Sequence, residues 1–212
     1  MLSSFVALAS LFMTLVSPPA IAAPAAGISL LSRDVGITIC NTSVVGDLSA
    51  TAKAHHSALG FHLNKTGALI FDPNSKQELK LEFQPCTPNF GRFPNTNGVV
   101  EGHLFIPSVK KCLGITTVNG PEFPLSAVDC SISDDSSQVF NDWIQLNGTK
   151  YLWSGATQAD GSLFQGSNDA GAANCTGVGL FGYKKAHSGL PPKGQVVLQC
   201  ANNKEISPLF LH

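Results

Sequence analysis

From Cys40 onward the apolar residues come in short runs rich in Phe, Val, Ile and Leu. Gly, Pro, Asn and Ser interrupt these runs about every 8–12 residues, the spacing of short strands joined by turns. No stretch repeats its apolar positions with a helical period. The pattern predicts an all-β sandwich or barrel. Two segments carry it most clearly. In KQELKLEF, Lys76–Phe83, apolar and polar positions alternate from Glu78, so Leu79, Leu81 and Phe83 face one side of a strand. In DWIQLNGTKYLW, Asp142–Trp153, Asn147-Gly148 separates two strand-like arms. Asn-Gly accepts the positive φ angles that a type I′ hairpin turn needs at both central positions.

The hairpin has a near relative elsewhere in the chain. FHLNKTGALIFD, Phe61–Asp72, and IQLNGTKYLWSG, Ile144–Gly155, share an apolar-polar-Leu-Asn start, a Thr and a closing apolar pair. LFIPSVKKCLGI, Leu104–Ile115, lies between them, so the three starts at 61, 104 and 144 are 43 and 40 residues apart. Two strand-like segments ending in Cys follow, LEFQPC at 81–86 and LSAVDC at 125–130. Three repeats of about 40 residues, each with hairpins, fit a threefold β barrel; a propeller of that period needs at least about four blades.

The amino end reads differently. Phe5–Val16, FVALASLFMTLV, is an apolar run followed by Ser-Pro-Pro and Ala20-Ile21-Ala22-Ala23. That is the layout of a secretory signal peptide with an A-x-A cleavage pattern, here without Lys or Arg before the run. Residues 1–22 are therefore expected to be removed. Residues 23–39 then form an N-terminal extension, and 40–212 a single domain. No later run approaches the ~18 apolar residues of a membrane span. The expectation is a secreted protein, extracellular or in the cell wall, with no membrane attachment after cleavage.

Cysteines and sequons agree with that route. Cys40, Cys86, Cys112, Cys130, Cys175 and Cys200 are an even set in a secretory chain, which predicts disulfides while leaving their pairing open. The absence of a CxxC pair argues against a zinc ribbon. N-x-[ST] sequons at Asn41, Asn64, Asn147 and Asn174 predict a glycoprotein. The 13 Lys+Arg balance 14 Asp+Glu, and only 13% of residues are charged. A near-neutral chain lacks the clustered cations that nucleic acid requires. Uncharged ligands such as sugars, or an extracellular protein, are the better partners.

The stretch Lys111–Trp143 resembles one repeat of the ricin-B-like β-trefoil lectins. Cys112-Leu113 is followed by a polar loop with Asn119-Gly120, a strand, Cys130, an acidic loop and Gln138-Val139-Phe140. The chain is similar to the secreted, Cys-containing β-trefoil proteins of filamentous fungi. The resemblance implies a β-trefoil over about 40–200 and a bridge within one repeat, Cys112–Cys130. Chain order then points to Cys40–Cys86 and Cys175–Cys200. It also implies a lectin-like, carbohydrate-binding function without catalysis. Two departures bear on that function. The family's sugar-binding Asp after Cys-Leu is replaced by Gly114, and Gln-x-Trp has become Gln-x-Phe. Gln138, Trp143 and Trp153 remain as candidate ligand residues, the indoles by stacking on a sugar ring; their alternative is burial beside the hairpin.

Other chemistry is weaker. Gly177–Gly182 matches G-x-G-x-x-G, but a dinucleotide site needs a helix after it, and Pro191-Pro192 interrupts one. His55, His56 and His62 are too spread along a strand for one metal. Asp129, Asp134, Asp135 and Asp142 lack EF-hand spacing. Paired carboxylates among them leave an extracellular glycosidase as the third reading, after a binding protein and a protease inhibitor acting through the Pro-rich loop 187–193. No catalytic residue, metal or cofactor is assigned.

Overall fold

The structure is a computed structural model that describes residues 37–52, 60–89, 91, 95, 98–118, 122–133, 136–155, 181–200 and 206–212. They fall within one compact unit, Asp34–His212. The expected signal segment 1–22, together with Asn174 and Cys175, lies outside the described residues. No helix among the described residues is long and apolar enough to cross a membrane.

The described chain is all-β. Its strands are β1 (Ile39–Cys40), β2 (Val44–Ser49), β3 (Phe61–Leu63), β4 (Leu69–Phe71), β5 (Lys80–Thr87), β6 (Val99–Ile106), β7 (Lys111–Ile115) and β8 (Phe123–Val128). They continue with β9 (Trp143–Leu146), β10 (Lys150–Trp153), β11 (Phe181–Lys184), β12 (Gly194–Gln195), β13 (Val197–Cys200), β14 (Ile206–Ser207) and β15 (Leu209–Leu211). One 3-10 turn, Ser136–Asn141, precedes β9. Pairing reaches back to Ile37, which bridges Ser133, so it enters the stretch read as an N-terminal extension.

Six strands close on one another. β2 pairs with β5, β5 with β6, β6 with β9, β9 with β10, β10 with β15, and β15 returns to β2, every pair antiparallel. Closure removes the unpaired edges that an open sheet would expose. The alternation expected for Lys76–Phe83 holds, with Leu79, Leu81 and Phe83 all buried. They join Leu48, Leu104, Ile106, Trp143, Tyr151, Leu209 and Leu211 in one core cluster.

Three further antiparallel pairs lie outside this ring: β7–β8 and β11–β13, joined to it through β6–β7 and β10–β11, and β3–β4 in a separate sheet. Backbone bonds tie them together: Leu125 N donates to Val196 O and Val196 N to Leu69 O, both at 2.9 Å. Ala127 N donates to Gly67 O at 2.8 Å. Beneath them Phe123, Trp153 and Phe181 pack ring against ring, with centroids 4.8–5.2 Å apart.

The 40-residue spacing does not mark equivalent places. The Phe61–Asp72 hairpin belongs to the three-stranded sheet β12-β4-β3, whereas Ile144–Gly155 supplies ring strands β9 and β10. The linked positions Leu69, Leu125 and Val196 are instead 56 and 71 residues apart. The two segments look alike because each builds a tight hairpin around an Asn, and turn chemistry constrains sequence whatever the hairpin's place. The turns themselves differ. Asn147 and Gly148 have φ of 51° and 74°, the two positive angles that Asn-Gly predicts, and Thr149 N donates to Leu146 O at 3.3 Å. Asn64 instead accepts Thr66 N, Thr66 Oγ1 and Ala68 N on its side-chain oxygen.

Candidate functional site

β7 and β8 form a hairpin whose open end is bound by the Cys112–Cys130 disulfide. That is the pair the family resemblance implies. A cleft of about 490 Å³ opens beside it, lined by Lys111, Thr116, Asp129, Ser131, Ser137 and Phe140 among others. Lys111 Nζ lies 3.0 Å from Asp129 Oδ1, and the Asp129 side chain is 93% exposed. Exposure and salt screening make that ion pair worth little as a stabiliser. Its carboxylate is free to exchange the ammonium for another donor.

The opposite wall is the Ser136–Asn141 turn. Ser131, Ser133 and Ser137 hydroxyls bond one another there, at 3.2 Å for the two pairs that include Ser133. Gln138 is fully buried and donates to Thr38 Oγ1 at 2.7 Å and to Ser133 O. Asn141 Nδ2 donates to Asp129 O at 3.0 Å, which fixes the backbone that presents the carboxylate. Phe140 packs half-buried against the core and shows its remaining face to the cleft.

Three expected ligand residues are corrected by this geometry. Trp143 and Trp153 are 0% and 1% exposed. Their indole nitrogens donate to Leu113 O at 2.8 Å and Val139 O at 2.7 Å. Each ring therefore binds one wall of the cleft to the core and has no face left for a sugar. Gln138 likewise clamps backbone. The reason is common to all three: large amphipathic side chains that find both an apolar pocket and a polar partner inside the fold gain more by burial than by exposure. What faces the cleft is Asp129, which the sequence offered only within a run of carboxylates, and Phe140, marked only as a weakened motif position.

Position 114 is sterically closed to a side chain. A Cβ there would lie 2.2 Å from Phe140 O and 2.8 Å from a Val128 methyl. No side chain fits, so a carboxylate at position 114 is excluded sterically, and the acid that lines the cleft is Asp129.

Asp142 is not at the cleft. It and Glu101 are both fully buried and hydrogen-bonded to each other. Glu101 Oε1 accepts Gly91 N at 2.8 Å, and Asp142 Oδ2 accepts Ser154 Oγ at 2.8 Å. Burial first, then the bond and charge of Glu101, hold the Asp142 carboxyl well above the usual range, so the pair keeps a proton. With neither group at the surface, the pair is sealed from any substrate a glycosidase would hold between its acids. A pH dependence follows. Because the folded carboxyl binds its proton more tightly than the unfolded one, this contribution is complete below the ordinary Asp range. It is lost as pH rises toward the raised folded value. Asp142→Asn carries no such proton, so it is expected to gain on the wild type in melting temperature as pH rises above the ordinary Asp range, about 4. Thermal unfolding across that rise in pH checks it; a difference that stays constant removes the shared proton.

His103 is also sealed, 1% exposed, and burial pushes its imidazole down to about 4, so it is neutral near pH 7. Its Nδ1 lies 3.7 Å from Cys40 Sγ, beside the Cys40–Cys86 disulfide. The pairing expected for Cys175 and Cys200 lies outside the described residues, as do His55, His56, Asp134 and Asp135. His62 lines a second cleft of about 330 Å³ with Leu63, Gln77, Glu78, Ser108 and Val109. Phe181–Lys184, which begins on the last two residues of the Gly-rich motif, is a strand and not the helix a dinucleotide site requires. In the 187–193 loop, Gly189 N donates to Ala186 O at 2.9 Å, and Tyr183 Oη donates to Gly189 O at 3.2 Å.

Comparison of the chain with protein-family models, curated proteins and solved structures gave no match in any of the three.

Proposed function

We propose that this chain is a secreted, non-catalytic carbohydrate-binding protein built as a β-trefoil, and that it takes its sugar in the cleft beside Cys112–Cys130. The closed ring of six antiparallel strands and the three strand pairs linked at Leu69, Leu125 and Val196 support the architecture. Its units would then run to about 50–70 residues rather than about 40, each with ring strands and one capping hairpin. Two disulfides and the signal-like amino end support secretion. The exposure of Asn41, Asn64 and Asn147 supports glycosylation.

The observation that carries the function is the cleft's chemistry. A sugar ring presents an apolar C–H face and a rim of hydroxyls. Here Phe140 offers the apolar surface, Asp129 the charged acceptor, and Thr116, Ser131 and Ser137 neutral donors and acceptors. Few charges and open access suit a neutral glycan. Among the described residues that line it, Asp129 is the one carboxylate.

A glycan array followed by titration calorimetry tests this. Asp129→Ala is expected to weaken binding about 10–100-fold, the cost of losing hydrogen bonds to a charged acceptor. Phe140→Ala is expected to weaken it about 3–10-fold. Lys184→Ala, remote from the cleft, is the control. Binding unchanged in both variants moves the site elsewhere. Silence across plant, fungal and animal glycans, with inhibition of a protease, replaces the sugar reading by the inhibitor one.

A further inference from the structure

We propose that Cys40, Cys86 and His103 form a latent metal-ion site, a Cys₂His set for zinc or a similar soft d¹⁰ cation, that opens when the Cys40–Cys86 bond is reduced. Three strands assemble it. Cys40 on β1 lies directly across from Cys86 on β5. His103 on β6 lies across from Gln84, two residues along β5 from Cys86, which places it on the same side of the sheet. The Sγ atoms and an imidazole nitrogen all lie within 4.8 Å of one another. Among the described residues this is the one group of three His, Cys, Asp or Glu side chains whose ligand atoms converge so closely.

The geometry fits a tetrahedral ion. Zn–S bonds of about 2.3 Å and Zn–N bonds of about 2.0 Å put neighbouring ligand atoms about 3.5–3.8 Å apart. The Nδ1–Sγ separation is already 3.7 Å. Only the two sulfurs must part, by side-chain rotation on paired strands that need not move. Charge fits as well. Two thiolates neutralise a divalent ion, and the buried imidazole is neutral, so the filled site adds no net charge to a place where Cys86 and His103 are 0% and 1% exposed. Cys40 is half-buried, which gives a reductant and an ion their approach. Water completes the fourth position.

The chemistry balances with a dithiol reductant. The reductant gives two electrons and two protons to the S–S bond, leaving two Cys thiols, and is itself oxidised to a disulfide. Zinc then displaces both thiol protons, while Nδ1 donates its lone pair with no proton moved. The Cys112–Cys130 bond has no such imidazole partner among the described residues, so its thiols are not expected to form the site.

The test uses the whole chain, reduced with a dithiol under argon, desalted, and titrated with Co²⁺ and then Zn²⁺. The expected result is one equivalent of cobalt with thiolate charge-transfer absorption, displaced by zinc. The oxidised chain is expected to bind none. His103→Gln is expected to weaken cobalt binding at least about tenfold, and Cys112→Ser with Cys130→Ser to leave it unchanged. Fluorescence of the buried Trp143 and Trp153 reports folding throughout. If reduction unfolds the chain, zinc is expected to restore the buried-indole emission in wild type but not in His103→Gln. A reduced wild type that takes no cobalt, folded or unfolded, overturns the proposal. So does equal affinity in His103→Gln.

Discussion

Trp143→Ala is expected to lower the unfolding free energy by about 3–5 kcal/mol, the range for deleting a large buried aromatic. The ring is 0% exposed and belongs to the core cluster, so its removal leaves a void that close-packed strands cannot collapse to fill. It also leaves Leu113 O without its 2.8 Å donor. An orphaned buried carbonyl adds about 1–3 kcal/mol. Since domains of this size hold about 5–15 kcal/mol in all, the variant is expected to unfold at a much lower denaturant concentration. Trp143→Phe separates the two parts by keeping most of the packing and losing the hydrogen bond, at about 1–3 kcal/mol. Denaturant midpoints read by far-ultraviolet circular dichroism check both. A loss below about 1 kcal/mol for the Ala variant would mean that the indole is not the strut described.

Gly114→Asp carries the second large effect, and its direction runs against what the lectin resemblance implies. The lectins that Lys111–Trp143 resembles carry an Asp at this place, where it would build a sugar site. Here the added Cβ meets Phe140 O at 2.2 Å, a backbone atom that cannot swing aside. The Ser136–Asn141 turn must move off β7, breaking the contacts that present Phe140 and Asp129. A loss of about 3 kcal/mol, at the upper end for overpacking, is expected together with loss of the proposed glycan binding. Gly114→Ala tests the steric origin, since it adds the Cβ without the charge and should cost nearly as much. Thermal unfolding and the same calorimetric titration measure both. An Asp variant as stable as wild type that binds sugar more tightly would falsify this account of the cleft.

Parts of this fold were legible in the chain because they depend on near neighbours. The two-residue alternation around Leu79, Leu81 and Phe83 is a property of any half-buried strand. Asn147-Gly148 encodes positive φ by itself. The Cys112–Cys130 bridge spans 18 residues and closes one hairpin, so a local motif sufficed to imply it. The 40-residue spacing rests on the same kind of local signal. FHLNKTGALIFD and IQLNGTKYLWSG share hairpin chemistry, and hairpin chemistry does not say whether the hairpin builds the ring or lies outside it.

The candidate site was legible only in outline. Trp143, Trp153 and Gln138 have the side chains that bind sugars, yet each finds a backbone partner inside the protein. Nothing in a linear pattern distinguishes an aromatic that stacks on a ligand from one that hydrogen-bonds to Leu113 O, 30 residues away. Asp129 and Asp142 lie 13 positions apart and read alike in sequence. One is held at the surface beside Lys111, and the other is sealed against Glu101.

The amino-acid sequence by itself determined the all-β class, the turn at Asn147-Gly148, the near-neutral charge and the even set of cysteines, because composition and short-range periodicity fix these. Tertiary structure alone decided which carboxylate meets solvent, why residue 114 must be glycine, and that His103 lies against the Cys40–Cys86 bond. Those depend on contacts between strands far apart in the chain, where burial, not residue type, sets what a side chain can do.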